Sequence, residues 1–226
     1  MTDKRTEPTL RGLTATFIDQ FHLLERSIFS REEALESGVV QITSSHSGEG
    51  VTSITLGLAS VLTGQFDPDE ILVVEANLRE PSFQDIMDIR TRGSLRGVLA
   101  GTEPIDAAIE KVEDLGFSVM PAGAGDWGGE PATGESMILH LSALLAELRK
   151  KYRYVLLDTP PVIPFVDAAI VCGMADGVVL VVESNLTRSE VVDSAIEKIR
   201  SGGGVILGVV LNKREFHIPK WVYRYL

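Results

Sequence analysis

Residues 44–53 read SSHSGEGVTS, and there the chain changes its period. Before them runs VVQIT, a block of β-formers; after them TSITLGLASVL repeats its apolar residues at helical spacing. A strand passing into a helix through glycines is the setting of a phosphate-cradling loop, G-x-x-x-x-G-K-[ST]. In that loop backbone N–H groups face the phosphates and the lysine reaches the terminal ones. The eight positions here are SHSGEGVT, Ser45 to Thr52. Gly48 and Gly50 keep the path free of side chains, Thr52 keeps a hydroxyl for magnesium, and Val51 stands where the lysine belongs. Ser-Gly-Glu-Gly alone is also an ordinary turn, so the loop reading depends on the rest of the chain.

Further apolar blocks follow: ILVVEA, FSVMPAG, YVLLD, GVVLVVES and VILGVVLN. They are nearly continuous rather than alternating, as in strands covered on both faces. Helical patterns lie between them, notably TSITLGLASVLTG, ESMILHLSALLAELRKKY and TRSEVVDSAIEKIRS. This alternation predicts an α/β fold, a doubly wound and mainly parallel sheet flanked by helices, in a single domain. A helical segment over 1–37 precedes a core over 38–213, and a basic, aromatic tail occupies 214–226. Ligands of such sheets bind at the carboxyl ends of the strands. ILVVEANLREP brings Glu75 and Asn77 to that edge, and YVLLDTPPV brings Asp158, a magnesium-side carboxylate.

The 226 residues, 44% of them hydrophobic, suffice for one sizeable core. A formal net charge of −11 argues against general nucleic-acid binding. No apolar run approaches the roughly 18 residues needed to span a bilayer, and MTDKRTEPTLRG lacks the apolar centre of a signal peptide. A cytoplasmic location is expected. The single cysteine, Cys172, excludes an intrachain disulfide, argues against a zinc site and reads as a small buried hydrophobe.

TSSHSGEGVTS, VEANLREP, LLDTPPV and LGVVLNK resemble TSSxPGEGKST, VDADLRRP, IIDTPPV and LGVVLN of the bacterial tyrosine kinases. These are the capsular and exopolysaccharide kinases related to MinD-like P-loop ATPases. GSLRGVLAG, VMPAG and ADGVVLVVESNLTR extend the resemblance over residues 12–226. It implies ATP or ADP with Mg2+, the nucleotide held by Ser47, Gly48, Glu49, Gly50, Val51, Thr52 and Ser53. It also implies Asn212 at the adenine edge, Thr52 and Asp158 on the metal, and Glu75, Asn77 and Asp158 at catalytic positions. The alternative reading of Asn212 is a strand-ending cap.

Three positions depart from the family: Val51 replaces the lysine, Glu75 one aspartate and Asn77 another. Phosphoryl transfer relies on positioning and charge stabilisation, and losing one such contact typically lowers the rate about 10²–10³-fold. Impaired catalysis with weak or lost nucleotide binding is the leading expectation. The alternatives are an active autokinase in which Arg79 or a neighbouring subunit supplies the cation, and a MinD-like positioning ATPase. The implied partners are a membrane polysaccharide copolymerase on a separate chain, an active paralogue and further copies of this chain.

Leu13, Phe17, Phe21, Leu24 and Ile28 recur at helical spacing ahead of the core. The family pairs subunits through Glu-x-x-Arg-x-x-Arg on this helix, which puts Asp19, His22 and Glu25 at a candidate oligomer interface. The same three residues also read as one solvated helix face. The tail, NKREFHIPKWVYRYL, interleaves Lys213, Arg214, Lys220 and Arg224 with Phe216, Trp221, Tyr223 and Tyr225. That mixture suits a membrane interface or an acidic surface, or else a last helix packed on the sheet. Tyr223 and Tyr225 are the candidate phosphorylation sites.

Overall fold

The block that opens at Gly38 folds as β1 (Gly38–Ser44), and all of its residues are buried. An apolar strand covered on both faces belongs inside a sheet. In the computed structural model, which describes residues 19–26, 28, 36–87, 89, 91–112, 115–123 and 135–214, β1 runs parallel between β5 (Tyr154–Asp158) and β6 (Gly177–Glu183). β2 (Ile71–Glu75) and β4 (Phe117–Met120) continue the sheet beyond β5, and β7 (Ile206–Asn212) beyond β6. The order is β3-β4-β2-β5-β1-β6-β7. β3 (Glu110–Val112) alone is antiparallel to its neighbour, β4. Its three residues form no apolar block, and so it is absent from the sequence reading.

Among the described residues, helices cover both faces. α1 (residues 19–26) and α2 (Val51–Leu62) lie on one side, where Ile54, Leu58 and Leu62 meet Val40, Ile42, Val73, Leu156 and Val179. On the other side Leu141, Leu144, Leu145 and Leu148 of α5 (Glu135–Lys151) pack on Val39, Leu72, Val74, Val155 and Leu157. Further along, Cys172 of α6 (Val166–Cys172) and Ala195 and Ile199 of α7 (Ser189–Ser201) cover Val178, Leu180 and Val182. Two short helices, α3 (Phe83–Ile86) and α4 (Leu95–Leu99), fill the crossover after β2. The doubly wound architecture is as expected. Cys172 is fully buried, and burial pushes its thiol up to about 12, which leaves it unreactive. No helix among the described residues is long and apolar enough to cross a membrane.

α1 corrects one expectation. Phe21, Leu24 and Ile28 pack toward α2, and the Phe21 ring lies where a Cβ on Gly57 would come within 2.2 Å of it. Glu25 is four residues from Phe21 and three from Ile28, so the helical period places it on this inner face. It is 1% exposed and accepts a hydrogen bond from Gln65 Nε2 at 2.8 Å. Asp19 and His22 are exposed, and Glu25 does not share their face. Leu13 and Phe17 lie outside the described residues.

Gly202 closes α7 so near to α6 that an added Cβ would sit 2.1 Å from the Ala169 carbonyl oxygen. Gly202→Ala is expected to push the two helices apart and destabilise the fold by about 1–3 kcal/mol. Urea denaturation should show a lower midpoint at an unchanged slope.

Candidate nucleotide site

The loop between β1 and α2 is shaped by two left-handed glycines, Gly48 (φ 85) and Gly50 (φ 94). Gly50 is doubly constrained. Beyond its positive φ, a Cβ there would lie 2.2 Å from the side-chain amide of Asn212, which donates to the Glu49 carbonyl at 2.9 Å. α2 begins at Val51 with no side chain capping it. The first-turn amides of Val51, Thr52 and Ser53 therefore form an anion-seeking helix end.

Glu49 is the loop's internal clamp. It is 3% exposed, and its Oε2 accepts from the amides of Ser45 at 2.7 Å and His46 at 2.9 Å. Oε1 accepts from the Glu183 amide at 3.2 Å and from the Thr187 hydroxyl. The carboxylate thus ties the loop to the β6 end. Thr187 and Glu183 escaped the sequence reading because their link to Glu49 spans more than a hundred residues and follows no spacing rule. Ser47 and Gly48 form the exposed bend of the loop, and Ser53 is exposed on α2.

Thr52 donates from Oγ1 to Asp158 Oδ2 at 2.7 Å, so the two expected metal ligands are in contact. Asp158 is 1% exposed. Burial raises its carboxyl to about 7, with the neighbouring Glu75 adding to the rise and the Thr52 hydroxyl opposing it. Glu75 pairs with Asp158 in register on the adjacent strand. Its own carboxylate accepts from the amides of Ser82, of Phe83 at 2.8 Å and of Ala122 at 2.9 Å. Glu75 therefore caps α3 and joins β2 to the end of β4. Asn77 holds the turn after β2 by accepting from the Glu80 amide at 3.3 Å.

Val51 is half-buried and packs against the apolar cluster on the α2 face. Arg79, the candidate substitute cation, binds Asp167 Oδ2 at 2.7 Å and stacks 4.5 Å from the Phe165 ring centroid. Lys213 pairs with Glu183 Oε2 at 2.9 Å. The structure brings together Gly50, Val51, Thr52, Asp158, Glu75 and Asn212 at one sheet edge. Asp19, His22 and Glu25 belong to α1, and Tyr223 and Tyr225 lie outside the described residues.

No family model matches the chain. It is 28% identical over 180 residues to the tyrosine-protein kinase YwqD of Bacillus subtilis, covering 78% of this chain and 72% of that protein. It is 27% identical over 207 residues to the succinoglycan biosynthesis transport protein ExoP of Rhizobium meliloti, covering 90% of this chain but 26% of ExoP. Against the longer relatives it matches, the chain spans about a quarter of their length. The kinase domain of VpsO superposes with a TM-score of 0.74 at 26% identity, covering 91% of this chain and 96% of that one. MinD of Pyrococcus horikoshii complexed with Mg-ADP shares the fold, with a TM-score of 0.60 at 22% identity over 83% of this chain and 76% of MinD. The homologues are bacterial tyrosine-protein kinases, and the structural neighbours are kinase domains of that kind and MinD-like ATPases.

Asp158 ties the stability of the ligand-free chain to pH. Its folded value, about 7, lies above the ordinary 3.8, so between these limits the folded state holds more protons than the unfolded one. The stabilising contribution is complete below 3.8 and is lost as pH rises through about 7. Stability should fall across that window, and Asp158→Asn should flatten the fall in denaturation midpoints measured against pH.

Proposed function

We propose that this chain is a kinase-fold subunit of capsule or exopolysaccharide production in which the phosphate cradle is retained and phosphoryl transfer is impaired. Its role is regulatory or scaffolding, exercised on the cytosolic part of a membrane polysaccharide copolymerase. The pathway rests on the similarity to ExoP and to the tyrosine-protein kinases. The observation that carries the impairment is Val51, an apolar side chain packed into the α2-face cluster at the position of the cation.

The residues fit the phosphate end of a magnesium nucleotide in part. The uncapped first turn of α2 supplies amide donors, and Thr52 with Asp158 would hold the ion once Asp158 is ionised. When bound, Mg2+ would neutralise phosphate charge. Glu49 and Asn212 keep the loop in shape through bonds that need no ligand. Arg79 is engaged by Asp167 in the ligand-free chain, which supports the reading that the lysine is not replaced. Asn77 is uncharged and Glu75 is occupied by three amides, so neither supplies a free carboxylate to orient an attacking group.

Calorimetric titration with Mg-ADP and Mg-ATP tests this directly. The natural chain should bind weakly and turn over negligibly, whereas Val51→Lys should bind about 10- to 100-fold tighter, the value of one hydrogen bond to a charged group. Tight ATP binding and turnover by the natural chain, abolished by Asp158→Asn, would replace this reading with that of a working kinase. Failure to co-purify with a copolymerase from the same cells would remove the scaffolding role.

A further inference from the structure

β7 has the composition of an interior strand and the position of an edge strand. Its sequence, ILGVVLN, is nearly continuously apolar, the pattern of strands covered on both faces. β1, of the same length, is buried throughout, whereas no residue of β7 is, and Val209 and Leu211 are 45% and 65% exposed. These two pair in register with Leu180 and Val182 and so lie on the α7 face. On the opposite face a Cβ added at Gly208 would meet nothing within 4 Å. Both faces of the strand are short of cover.

Its outer edge is equally bare. Among the described residues β7 pairs with β6 alone. The Asn212 carbonyl accepts from the Ser184 amide at 2.8 Å, so the backbone groups of Asn212 and, by alternation, of Val210 and Gly208 point inward to β6. The N–H and C=O groups of Val209 and Leu211 then point outward. Edge strands are ordinarily guarded by charge, proline or a covering element. Residues 202–212, GGGVILGVVLN, contain neither charge nor proline.

We propose that β7 pairs antiparallel with β7 of a second copy of this chain, about a two-fold axis at Val210, so that one sheet runs through the dimer. Self-complementarity selects this occupant. The axis at Val210 sets Val209 opposite Leu211 of the other copy, and these are the residues whose backbone groups point outward, so they form hydrogen-bonded pairs. Both side chains lie on the α7 face, and the exposed residues of each copy therefore cover those of the other. Val210 faces its own counterpart as a non-hydrogen-bonded pair. A two-fold contact of this kind consumes the free edge, and assembly stops at two. The paired segment is short, so the dimer is weak and depends on concentration. The chain's net charge of −11 opposes the approach of copies, and added salt should tighten the dimer. The assignment does not depend on the nucleotide reading, and it uses a different surface from the α1 face.

Sedimentation velocity of the full chain should give a weight-average coefficient that rises with protein concentration through the micromolar range and rises further with salt. Val209→Lys, which supplies the charge that guards other edges, should weaken the dimer about tenfold or more with an unchanged circular dichroism spectrum. Single introduced cysteines read the register independently, since the native Cys172 is fully buried. With oxidised glutathione, Val210→Cys should yield a disulfide-linked dimer because the two positions face each other, whereas Val209→Cys should stay largely uncrosslinked. A chain that remains monomeric at every concentration would overturn the proposal, and slow amide exchange at Val209 and Leu211 in that monomer would mean that the chain covers its own edge. A dimer indifferent to Val209→Lys, or one crosslinked by Val209→Cys as readily as by Val210→Cys, would overturn it as well.

Discussion

The complete burial of β1 is the constraint on which the other features depend. A strand hydrogen-bonded on both edges and covered on both faces has no exit except at its ends, so the loop after Ser44 must emerge where β5 and β6 also stop. The ladder continues past the strands: the Thr159 amide donates to Ile42 at 3.1 Å and the Val162 amide to Ser44 at 2.9 Å. Gln41, buried in the middle of β1, donates to the Thr159 hydroxyl and to the Ala168 carbonyl, both at 3.0 Å. One polar side chain thereby fixes the start of α6 relative to the central strand.

Three carboxyl groups, Glu49, Glu75 and Asp158, are buried at this edge, and the loop itself carries no cation. Buried charge is tolerable only when it is paired, hydrogen-bonded or neutralised. Glu49 collects four donors from the loop and the β6 end. Glu75 collects three backbone amides. Among the described residues Asp158 has only the Thr52 hydroxyl, and burial holds its proton on up to about pH 7. The edge is accordingly self-sufficient, in contrast to a site whose acids are balanced mainly by a bound ion.

The strands that read clearly in the sequence are those buried on both faces, since a continuous Val, Ile and Leu block leaves few alternatives. The loop at Gly48 and Gly50 was legible for a similar reason, because backbone geometry demands those residues. β3 was not, because a three-residue edge strand is specified by its neighbour rather than by its composition. α3 and α4 were missed because they are held from outside: Glu75 caps α3, while Ser94, the N-cap of α4, donates its own amide to Glu103. Glu25 was misplaced by aligning it to a pairing motif, although counting from Phe21 puts it inside. Glu49 was recognised as a loop residue, but the direction of its carboxylate depends on Glu183 and Thr187, which only the fold brings near.

Asn212 grips the loop at the Glu49 carbonyl, and the very next residue begins the departure of the tail. Lys213 holds Glu183, whose amide returns to Glu49, so a closed circuit of four residues joins the phosphate loop to the chain's last segment. The phosphate loop and the residues that follow β7 thus meet at a single strand end. Coupling of this kind is reciprocal: whatever orders the loop alters the hold on the tail by the same free energy.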